Sequence, residues 1–583
     1  MAQRHFFLAA LGGGGRWFFV WAILFFFPGG ALHAVTAIPT RDGSGISIDV
    51  DELYKVTPPA GGYPARVRIA NGSTANGVWR ASFQSPQWGN GLRTEFEFRV
   101  AGRTTRTFEI LVPFIHGMDT GLSPQPLKGE FSGPQVLNGT ITLGSSTSGG
   151  SGADDGYFLV GEKATMQVWT AITEDYNKKS AGVQGTRLDG ARLPTDPRAW
   201  WGVDSAWFTG EELAALQPGQ TEVLNGWVAR GGRLFILGDA GAYVPGRLPK
   251  SARPDEKKGT FFYGLGSIQV LSDMDETALT KEMLDTFRKP RELLAKLNDQ
   301  SGSTSKLLKD AVGPRKIPAI PLVLFTVVFA ILVGPVNLFV FAGKGRRHRL
   351  FFTTPLLSLG GCALALILIF VLDGSGGTGR RLLLVQSLPD RNETLLFQQQ
   401  LSRTGLLFRS GFTLEDSVSA VMKGDPHGPS GQERNYDLRI AGNTFSGGWF
   451  RNRSLATLEL ETVRSSRARI ALVAASPPVV ISSFEPSFER LFYKDADKNL
   501  WVGEGVEKGK RRELRRANDS ETAAFLQTLP NAGHRVQHVV EAAFKQPGFF
   551  IAHTLDARGD AIATHRAIRW EPTPGWYFGE VTP

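Results

Sequence analysis

The sequence predicts a multidomain α+β membrane protein, and three observations lead to that prediction. Two charge-free apolar runs, residues 317–342 and 350–372, flank a short basic loop. Long stretches before and after these runs alternate apolar and polar residues, which is the pattern of β-strands that have one face in water. Before the apolar runs, a strand, a helix, two glycines and a strand follow one another, which is the order of a parallel βαβ unit. We therefore expect a β-sandwich, an α/β domain, a two-helix transmembrane hairpin and a C-terminal β-rich domain.

Composition excludes several classes of protein. The 583 residues are too many for a single core. The net charge of +10 suits nucleic acid, but the one dense basic cluster, residues 508–516, is interrupted by Glu513, and many other basic residues flank the apolar runs, so we expect no nucleic-acid partner. The lone cysteine, Cys362, lies in the second run, which excludes an intrachain disulfide, a cysteine zinc site and a thiol nucleophile in a soluble domain.

The N-terminus has the layout of a secretory signal peptide over residues 1–37. Basic residues precede a short apolar run at 17–27, Pro28 breaks that run, and small residues follow. Cleavage is expected after Ala34 or Ala37. The alternative is an uncleaved N-terminal anchor, in which residues 6–27 form one longer span.

Residues 38–144 alternate apolar and polar positions with turn residues between the runs, which predicts an antiparallel β-sandwich. Residues 145–156 are rich in glycine and serine and predict a flexible linker. Residues 157–300 then predict the α/β domain. An amphipathic helix over 221–230 is capped by two glycines and followed by a buried strand, so the sheet is expected to be parallel.

Two segments of this domain carry a resemblance. Residues 197–209, PRAWWGVDSAWFT, and residues 224–236, LNGWVARGGRLFI, resemble the class I glutamine amidotransferase-like domain of bacterial membrane proteins, most of which are uncharacterised. The resemblance covers about residues 155–275 and extends loosely to the hairpin. It implies a flavodoxin-like or amidotransferase-like α/β fold on the outside of a bacterial cell membrane.

The residues that an amidotransferase uses are missing. Such an enzyme places a nucleophilic cysteine on the turn after the central strand, with a histidine and a carboxylate nearby. Here that turn holds Asp239, and no histidine lies between His116 and His348. The domain is therefore expected to lack that activity. An alternative is a membrane-bound hydrolase or transferase that uses Asp204, Glu211 and Asp239 at the carboxyl edge of the sheet, where open α/β sheets bind ligands.

Each apolar run is long enough to cross a bilayer, which needs about 20 helical residues. The loop between them, residues 343–349, is basic (Lys344, Arg346, Arg347, Arg349), and positive short loops stay in the cytoplasm. The signal peptide exports the first half, and the second helix returns the chain to the outside. Both large halves are therefore expected on the non-cytoplasmic side, although basic residues beyond the outer ends weakly oppose this orientation.

The first run contains Gly334, Pro335 and Asn337. Proline removes a helix hydrogen bond, and an asparagine within a membrane needs a polar partner. Asn337 is either a packing or assembly determinant or is hydrated near the cytoplasmic interface, and we expect hydration because Lys344 is close in sequence.

Residues 381–583 predict a sandwich-like β-rich domain with one short helix at 521–529. Asp495, Asp497 and Asn499 begin like a calcium loop, but the glycine and glutamate that such a loop requires are absent, which favours a turn. His534 and His538 have the spacing of zinc ligands without a third ligand, so no metal and no cofactor is expected. The sequence thus predicts a non-enzymatic bacterial inner-membrane protein with extracytoplasmic domains, whose partners are the lipid bilayer and other envelope proteins.

Overall fold

The computed structural model describes residues 35–583, except for 56, 59–60, 88–89, 114–125, 145–156, 164–183, 189, 239–251, 255–258, 272–303, 314–318, 342, 344, 375, 424–433, 441 and 583. The signal-peptide core, the predicted linker and Asp239 lie outside the described residues. Strand β1 (Val35–Ile38) contains Ala37, so cleavage after Ala34 would leave that strand whole.

The part of the chain before the hairpin begins with two β-sheets that share one core. Strands β1, β2, β3 and β6 form an antiparallel sheet, and β5, β4, β7 and β8 belong to a second one. Phe98 of β5 and Phe108 of β6 meet across the two sheets with ring centroids 5.1 Å apart, and Trp79 is fully buried between them. The remaining bounds are β2 (Ile46–Glu52), β3 (Gly62–Asn71), β4 (Gly77–Gln87), β5 (Asn90–Val100), β6 (Thr104–Pro113), β7 (Leu127–Ser132) and β8 (Thr140–Leu143).

The next region is an α/β layer with a seven-stranded sheet in the order β10-β9-β11-β12-β15-β14-β13. The first five strands are parallel, and the predicted βαβ unit is confirmed by the pairing of Ser205 with Arg233 and Thr209 with Leu237. The bounds are β9 (Tyr157–Gly161), β10 (Gln184–Leu188), β11 (Ser205–Thr209), α1 (Gly210–Ala214), α2 (Pro218–Ala229), β12 (Arg233–Leu237), β13 (Arg253–Pro254), β14 (Thr260–Tyr263) and β15 (Gly266–Leu271).

Helix α2 begins three residues earlier than the predicted start at Thr221. The sequence also predicts a short helix over 211–216 that stops at Pro218, whereas Pro218 opens α2. Its missing N–H costs nothing in the first turn, and its fixed φ angle suits a helix start. The sequence further predicts a helix over 277–298, and those residues lie outside the described part of the chain.

A short helix and two long ones follow: α3 (Lys306–Val312), α4 (Ala319–Ile331) and α5 (Leu350–Asp373). Helix α4 continues as a π-helix over Leu332–Phe341, which contains Pro335. These elements form the predicted hairpin between the two halves.

The C-terminal half is built on a ten-stranded sheet in the order β19-β22-β17-β16-β31-β29-β25-β26-β28, with β30 paired to β16. Strands β23, β24 and β27 form a separate small sheet. The bounds are β16 (Gly377–Leu388), β17 (Glu393–Thr404), β18 (Phe412–Thr413), β19 (Ser419–Lys423), β20 (Arg434–Arg439), β21 (Thr444–Gly447), β22 (Leu455–Ser465), β23 (Ile470–Ala475), β24 (Pro478–Ser482), β25 (Phe488–Lys494), β26 (Leu500–Val506), β27 (Arg511–Glu513), β28 (Arg515–Arg516), β29 (Phe549–Thr554), β30 (Ile568–Trp570) and β31 (Gly575–Glu580).

Two helices, rather than the one short helix expected, cover one face of this sheet. They are α6 (Asp519–Ala532) and α7 (His534–Lys545), and their apolar residues join Leu384, Phe397 and Phe578 in one buried cluster. The sequence analysis missed α7, whose buried positions Val536, Val539, Val540 and Ala543 have the spacing of an amphipathic helix.

The C-terminal half is not a self-contained sandwich. Strands β18, β21 and β20 leave it and extend the second sheet of the N-terminal sandwich, in the order β18-β21-β20-β5-β4-β7-β8. Strand β20 pairs in parallel with β5, from Arg434 opposite Asn90 to Arg439 opposite Glu95. Residues from the two sides of the hairpin thus share one sheet.

Candidate functional site: the membrane hairpin and its supports

The hairpin presents apolar surface that the rest of the described chain does not cover. Two segments are long and apolar enough to cross a membrane, Ile320–Phe341 and Arg347–Leu368, each of 22 residues. The exposed fraction reaches 83% for Ile320 and 82% for Phe351. Core helices of soluble proteins bury such side chains, and a continuous exposed apolar surface marks a contact with lipid or protein.

The polar side chain of Asn337 joins the two helices. It is buried, and its Nδ2 donates a hydrogen bond to Thr354 Oγ1 of α5 at 2.9 Å. The expected hydration at the interface is therefore wrong, and packing against the second helix is what the structure shows. An asparagine surrounded by apolar side chains stabilises a helix pair through such a bond by about 0.6 kcal/mol on average.

A glycine provides the second close contact of the hairpin. A Cβ atom at Gly361 would lie 2.1 Å from the Phe329 ring of α4, so a larger residue there would displace that ring. Its neighbour Gly360 has nothing within 4 Å of the corresponding position. The Phe329–Gly361 and Asn337–Thr354 contacts fix the register of the two antiparallel helices at two separate levels.

Pro335 lies inside the π-helix that continues α4 toward the loop. Since proline has no N–H to donate, the regular α-helical bonding is interrupted there, and π-helical turns are a common accommodation. A Cβ atom added at Gly334 would have no neighbour within 4 Å, so Gly334 does not serve a close approach between the described elements.

The basic loop lies at the turn of the hairpin. Arg346, Arg347 and Arg349 are exposed, and Lys344 lies outside the described residues. These three basic side chains immediately precede the first turn of α5, where the helix dipole disfavours positive charge. The helix dipole therefore gives no reason for this concentration of positive charge.

At the other end of the hairpin, the C-terminal domain holds the segment that enters α4, the first candidate membrane helix. The backbone N–H of Ser305 donates to Gln399 Oε1 at 2.9 Å, and Ser305 Oγ donates to the carbonyl of Asn531 at 2.8 Å. Leu308 of α3 is fully buried in the core under α6 and α7. Arg403 of β17 donates to the carbonyl of Gly313, just after α3. The first membrane helix thus begins within six residues of a fixed point.

The same end of β17 holds the segment that leaves the second membrane helix. Gly405 donates its backbone N–H to the carbonyl of Gly376 at 2.6 Å, and Leu406 donates to that of Gly374 at 3.2 Å. Gly376 donates to the carbonyl of Leu406 at 2.9 Å. Since Gly374 directly follows α5, both ends of the hairpin are fixed by residues 403–406, which we call the hairpin clamp.

A buried carboxylate joins the α/β region to the C-terminal sheet and its helix. Glu461 of β22 accepts hydrogen bonds from Arg230, which follows α2, at 2.9 Å, and from Arg535 of α7. The Arg535 guanidinium also lies 4.0 Å from the centroid of the Phe397 ring. Burial raises the pKa of Glu461, but Arg535 and then Arg230 outweigh that effect, and the pKa lies below its usual range.

Further bonds connect the same two regions. Gln386 of β16 donates to the carbonyl of Ala229 at 2.9 Å, and both residues are buried. Arg253 of β13 lies 3.5 Å from Glu580 of β31 and donates to the carbonyl of Pro547. The strand that follows the second membrane helix is therefore bonded directly to the α/β region.

The carboxylates proposed for catalysis do not converge. Asp204 precedes β11, so it lies at the amino edge of the parallel sheet, where it pairs with Arg233 at the start of β12. Glu211 follows β11 at the carboxyl edge, about 16 Å further along the strand direction. The expectation that both lie at the carboxyl edge is corrected for Asp204, because the strand begins after it.

Glu211 is exposed and pairs with Lys163 at 2.8 Å, which lowers the pKa of its carboxyl. The buried carboxylate at this edge is Glu212, which the sequence analysis did not single out. It accepts from the backbone N–H of Thr209 at 2.9 Å and of Lys163 at 2.7 Å. Glu212 thus completes a helix cap, a role that the Thr209-x-x-Glu212 spacing could have revealed.

The two candidate metal motifs have structural roles. Asp495 accepts from Asn499 N at 2.8 Å and from Trp501 Nε1 at 2.8 Å, and so forms the predicted turn between β25 and β26. His534 and His538 lie on the first turns of α7 with ring nitrogens 3.0 Å apart. Within the part of the chain that the structure describes, no group of three metal-ligating side chains is found.

Comparisons with known proteins add no family. No protein-family model matches the chain, and no curated protein matches it. Among solved structures, it is similar to a cycloisomaltooligosaccharide glucanotransferase of Paenibacillus sp. complexed with cycloisomaltoheptaose, with 10% identity and a TM-score of 0.15, over 35% of this chain and 28% of the enzyme. A likeness at this level carries no argument about fold or function.

Proposed function

We propose that the chain is a non-enzymatic, membrane-anchored protein of the bacterial cell envelope. In this proposal the hairpin crosses the inner membrane, both large halves lie on its outer side, and the protein serves as a scaffold that holds other envelope proteins or a ligand. The α/β region is proposed to be an amidotransferase-like domain without the catalytic residues.

One observation carries the proposal. Strand β5 precedes the hairpin and β20 follows it, yet the two pair residue by residue in one sheet. Paired strands must lie on the same side of a membrane. If the hairpin spans the bilayer, both of its ends therefore face the same compartment, and among the described residues only those of the loop at 343–349 reach the other.

The side of the membrane on which the loop at 343–349 lies is proposed from the charge of that loop. The loop carries Arg346, Arg347 and Arg349 close to the ends of both apolar helices, and positive charge at such positions favours the cytoplasm. The expected result is cytoplasmic reporter activity for a fusion inserted within residues 343–349. A fusion inserted in the linker at 145–156 is the matched control and should report the outer side. An exported loop would contradict the orientation.

The scaffold role is tested by partner capture. Crosslinking in intact membranes, followed by purification of the full-length chain, is expected to recover at least one stable envelope partner. Recovery of the chain alone would count against a scaffold.

A further inference from the structure

A loop of the C-terminal domain lies beside the outer end of the membrane hairpin. Leu406 exchanges backbone hydrogen bonds with Gly374 and Gly376, and Gly374 is the residue after α5. Phe408 is two residues beyond Leu406, and an extended chain advances about 3.3 Å per residue. The Phe408 backbone therefore lies within about 7 Å of the Leu406 backbone that bonds to the end of the membrane helix.

The side chains of this loop are unusual for a water-facing surface. Phe408 is 83% exposed, and Leu407 is only half-buried. Leu455, 41% exposed, stands at the start of β22 opposite Arg403 of the hairpin clamp. Phe408 and Leu407 are neighbours in the chain, and exposed apolar residues grouped in this way mark an interaction site rather than ordinary surface.

Basic side chains border this apolar patch. Arg409 follows Phe408 directly and is exposed. Arg453 is also exposed, and its backbone N–H bonds to the carbonyl of Gly405 at 3.0 Å, so it belongs to the same surface. An aromatic ring flanked by arginines is the composition that settles at the boundary between acyl chains and phosphate headgroups.

We propose that Phe408, with Leu407 and Leu455, forms a second membrane contact, in which the ring enters the outer headgroup layer and Arg409 and Arg453 contact lipid phosphates. The patch is continuous with the hairpin through the Gly374 and Gly376 bonds, which is why the occupant is lipid rather than a protein. This inference rests on the proposed membrane span. It adds that the C-terminal domain lies on the bilayer in one orientation.

The strand geometry identifies a part of the C-terminal domain that is distant from the hairpin and can serve as a reference for the test of this contact. Strand β16 leaves the membrane end at Gly377 and runs to Leu388, about 36 Å away at 3.3 Å per residue. Strand β31 runs parallel to it, and the backbone N–H of Leu472 bonds to the carbonyl of Thr582 beyond the end of β31. Val473, which is 43% exposed and adjacent to Leu472, therefore lies near the end of β31 that is remote from the hairpin.

The lone cysteine allows a direct test on the full-length chain. In a Cys362→Ser background, Phe408→Cys and Val473→Cys are labelled with a small fluorophore, and the unsubstituted chain labelled at Cys362 is the positive control. The proteins are reconstituted in vesicles of phosphatidylethanolamine and phosphatidylglycerol, with or without brominated acyl chains. Arg409→Cys repeats the measurement at an adjacent exposed position.

Brominated lipid is expected to quench the labels at 362 and 408 several-fold more than the label at 473, while aqueous iodide shows the reverse order. Equal access of iodide to 408 and 473 would overturn the inference, as would protection of 408 from both quenchers, which would indicate a protein cover. Quenching at 362 alone refutes the second contact and leaves the membrane span intact. Absence of lipid quenching at 362 would refute the span itself.

Discussion

At the scale of single residues, Glu461 connects three parts of the molecule that are distant in sequence. Its side chain is 11% exposed, and those of Arg230 and Arg535 are 16% and 20% exposed. Removal of one partner from a buried group of charges leaves the remaining charges unpaired, which typically lowers the free energy of unfolding by about 3–5 kcal/mol. Glu461 is therefore expected to matter more for stability than the exposed Glu211.

Glu461→Gln is expected to lower the stability of the detergent-purified chain by an amount of this order, because two buried guanidinium groups then lack a counter-charge. Glu415→Gln is the matched control, because Glu415 is exposed and its pairing with Arg464 at 3.8 Å should contribute less than about 1 kcal/mol. The midpoints of thermal unfolding provide the measurement. Equal effects of the two substitutions would contradict the role given to Glu461.

His553 gives the stability a second, pH-dependent contribution. Burial, with a smaller effect of Arg490, lowers the pKa of His553 to about 4, and its ring lies 4.9 Å from that of Trp576. In the unfolded chain the pKa of histidine is about 6.5. Between these values the unfolded state binds a proton that the folded state does not, so stability falls as pH falls from about 6.5 to 4.

The expected loss over this window is on the order of 3 kcal/mol, since one pKa unit corresponds to about 1.4 kcal/mol. His553→Gln cannot take up the proton. It should therefore reduce the decline of the thermal midpoint between pH 6.5 and 4, whatever it does to stability at neutral pH. A decline as steep as that of the unsubstituted chain would show that other groups cause the acid sensitivity.

At the scale of elements, the hairpin depends on close contacts between its helices, one of which is made at Gly361. Gly361→Leu would place a side chain where the Phe329 ring lies, and overpacking of this kind costs about 1–3 kcal/mol. Gly360→Leu adds the same side chain at a position with open space, so it should have little effect.

The two variants are compared as purified proteins by their resistance to protease and by their midpoints of thermal unfolding. The expected order is a marked loss for Gly361→Leu and near-normal behaviour for Gly360→Leu. The reverse order would mean that the helices pack through another face.

At the scale of the whole molecule, the halves are joined by more than the hairpin. They share the β5–β20 pairing, the Arg230–Glu461 ion pair and the bond from Gln386 to Ala229. The hairpin clamp in turn holds both ends of the membrane helices. The two halves are therefore held together by contacts that do not pass through the hairpin.

A protease site inserted within residues 343–349 tests this cohesion. After cleavage, the two fragments are expected to co-purify in mild detergent, because the sheet and the buried ion pairs do not pass through the loop. The control is the same cleavage in a Gly361→Leu chain, in which the packing of the two apolar helices is weakened. If the fragments associate through the sheet and the ion pairs, they should co-purify from this chain as well. Separation of the fragments on cleavage would show that only the loop holds the halves together.

The sequence alone predicted the features that depend on neighbouring residues. The apolar runs, the alternating strands and the strand–helix–glycine–strand unit are local patterns, since side-chain periodicity and helix length are set within a few turns of chain. Helix α7 could also have been predicted from the sequence, because its buried positions have the spacing of an amphipathic helix: Val536, Val539, Val540 and Ala543.

The tertiary structure decided what depends on residues far apart in the chain. No local pattern says that β20 pairs with β5 rather than with another edge, because any exposed strand edge offers the same backbone groups. The charge group of Arg230, Glu461 and Arg535 exists only after three elements meet, and the partner of Asn337 is set by the register of α4 against α5. The sequence by itself determined which segments are strands, helices and candidate membrane spans. Long-range packing determined that the two halves form one body around the hairpin, because only burial against a specific neighbour distinguishes equivalent edges and faces.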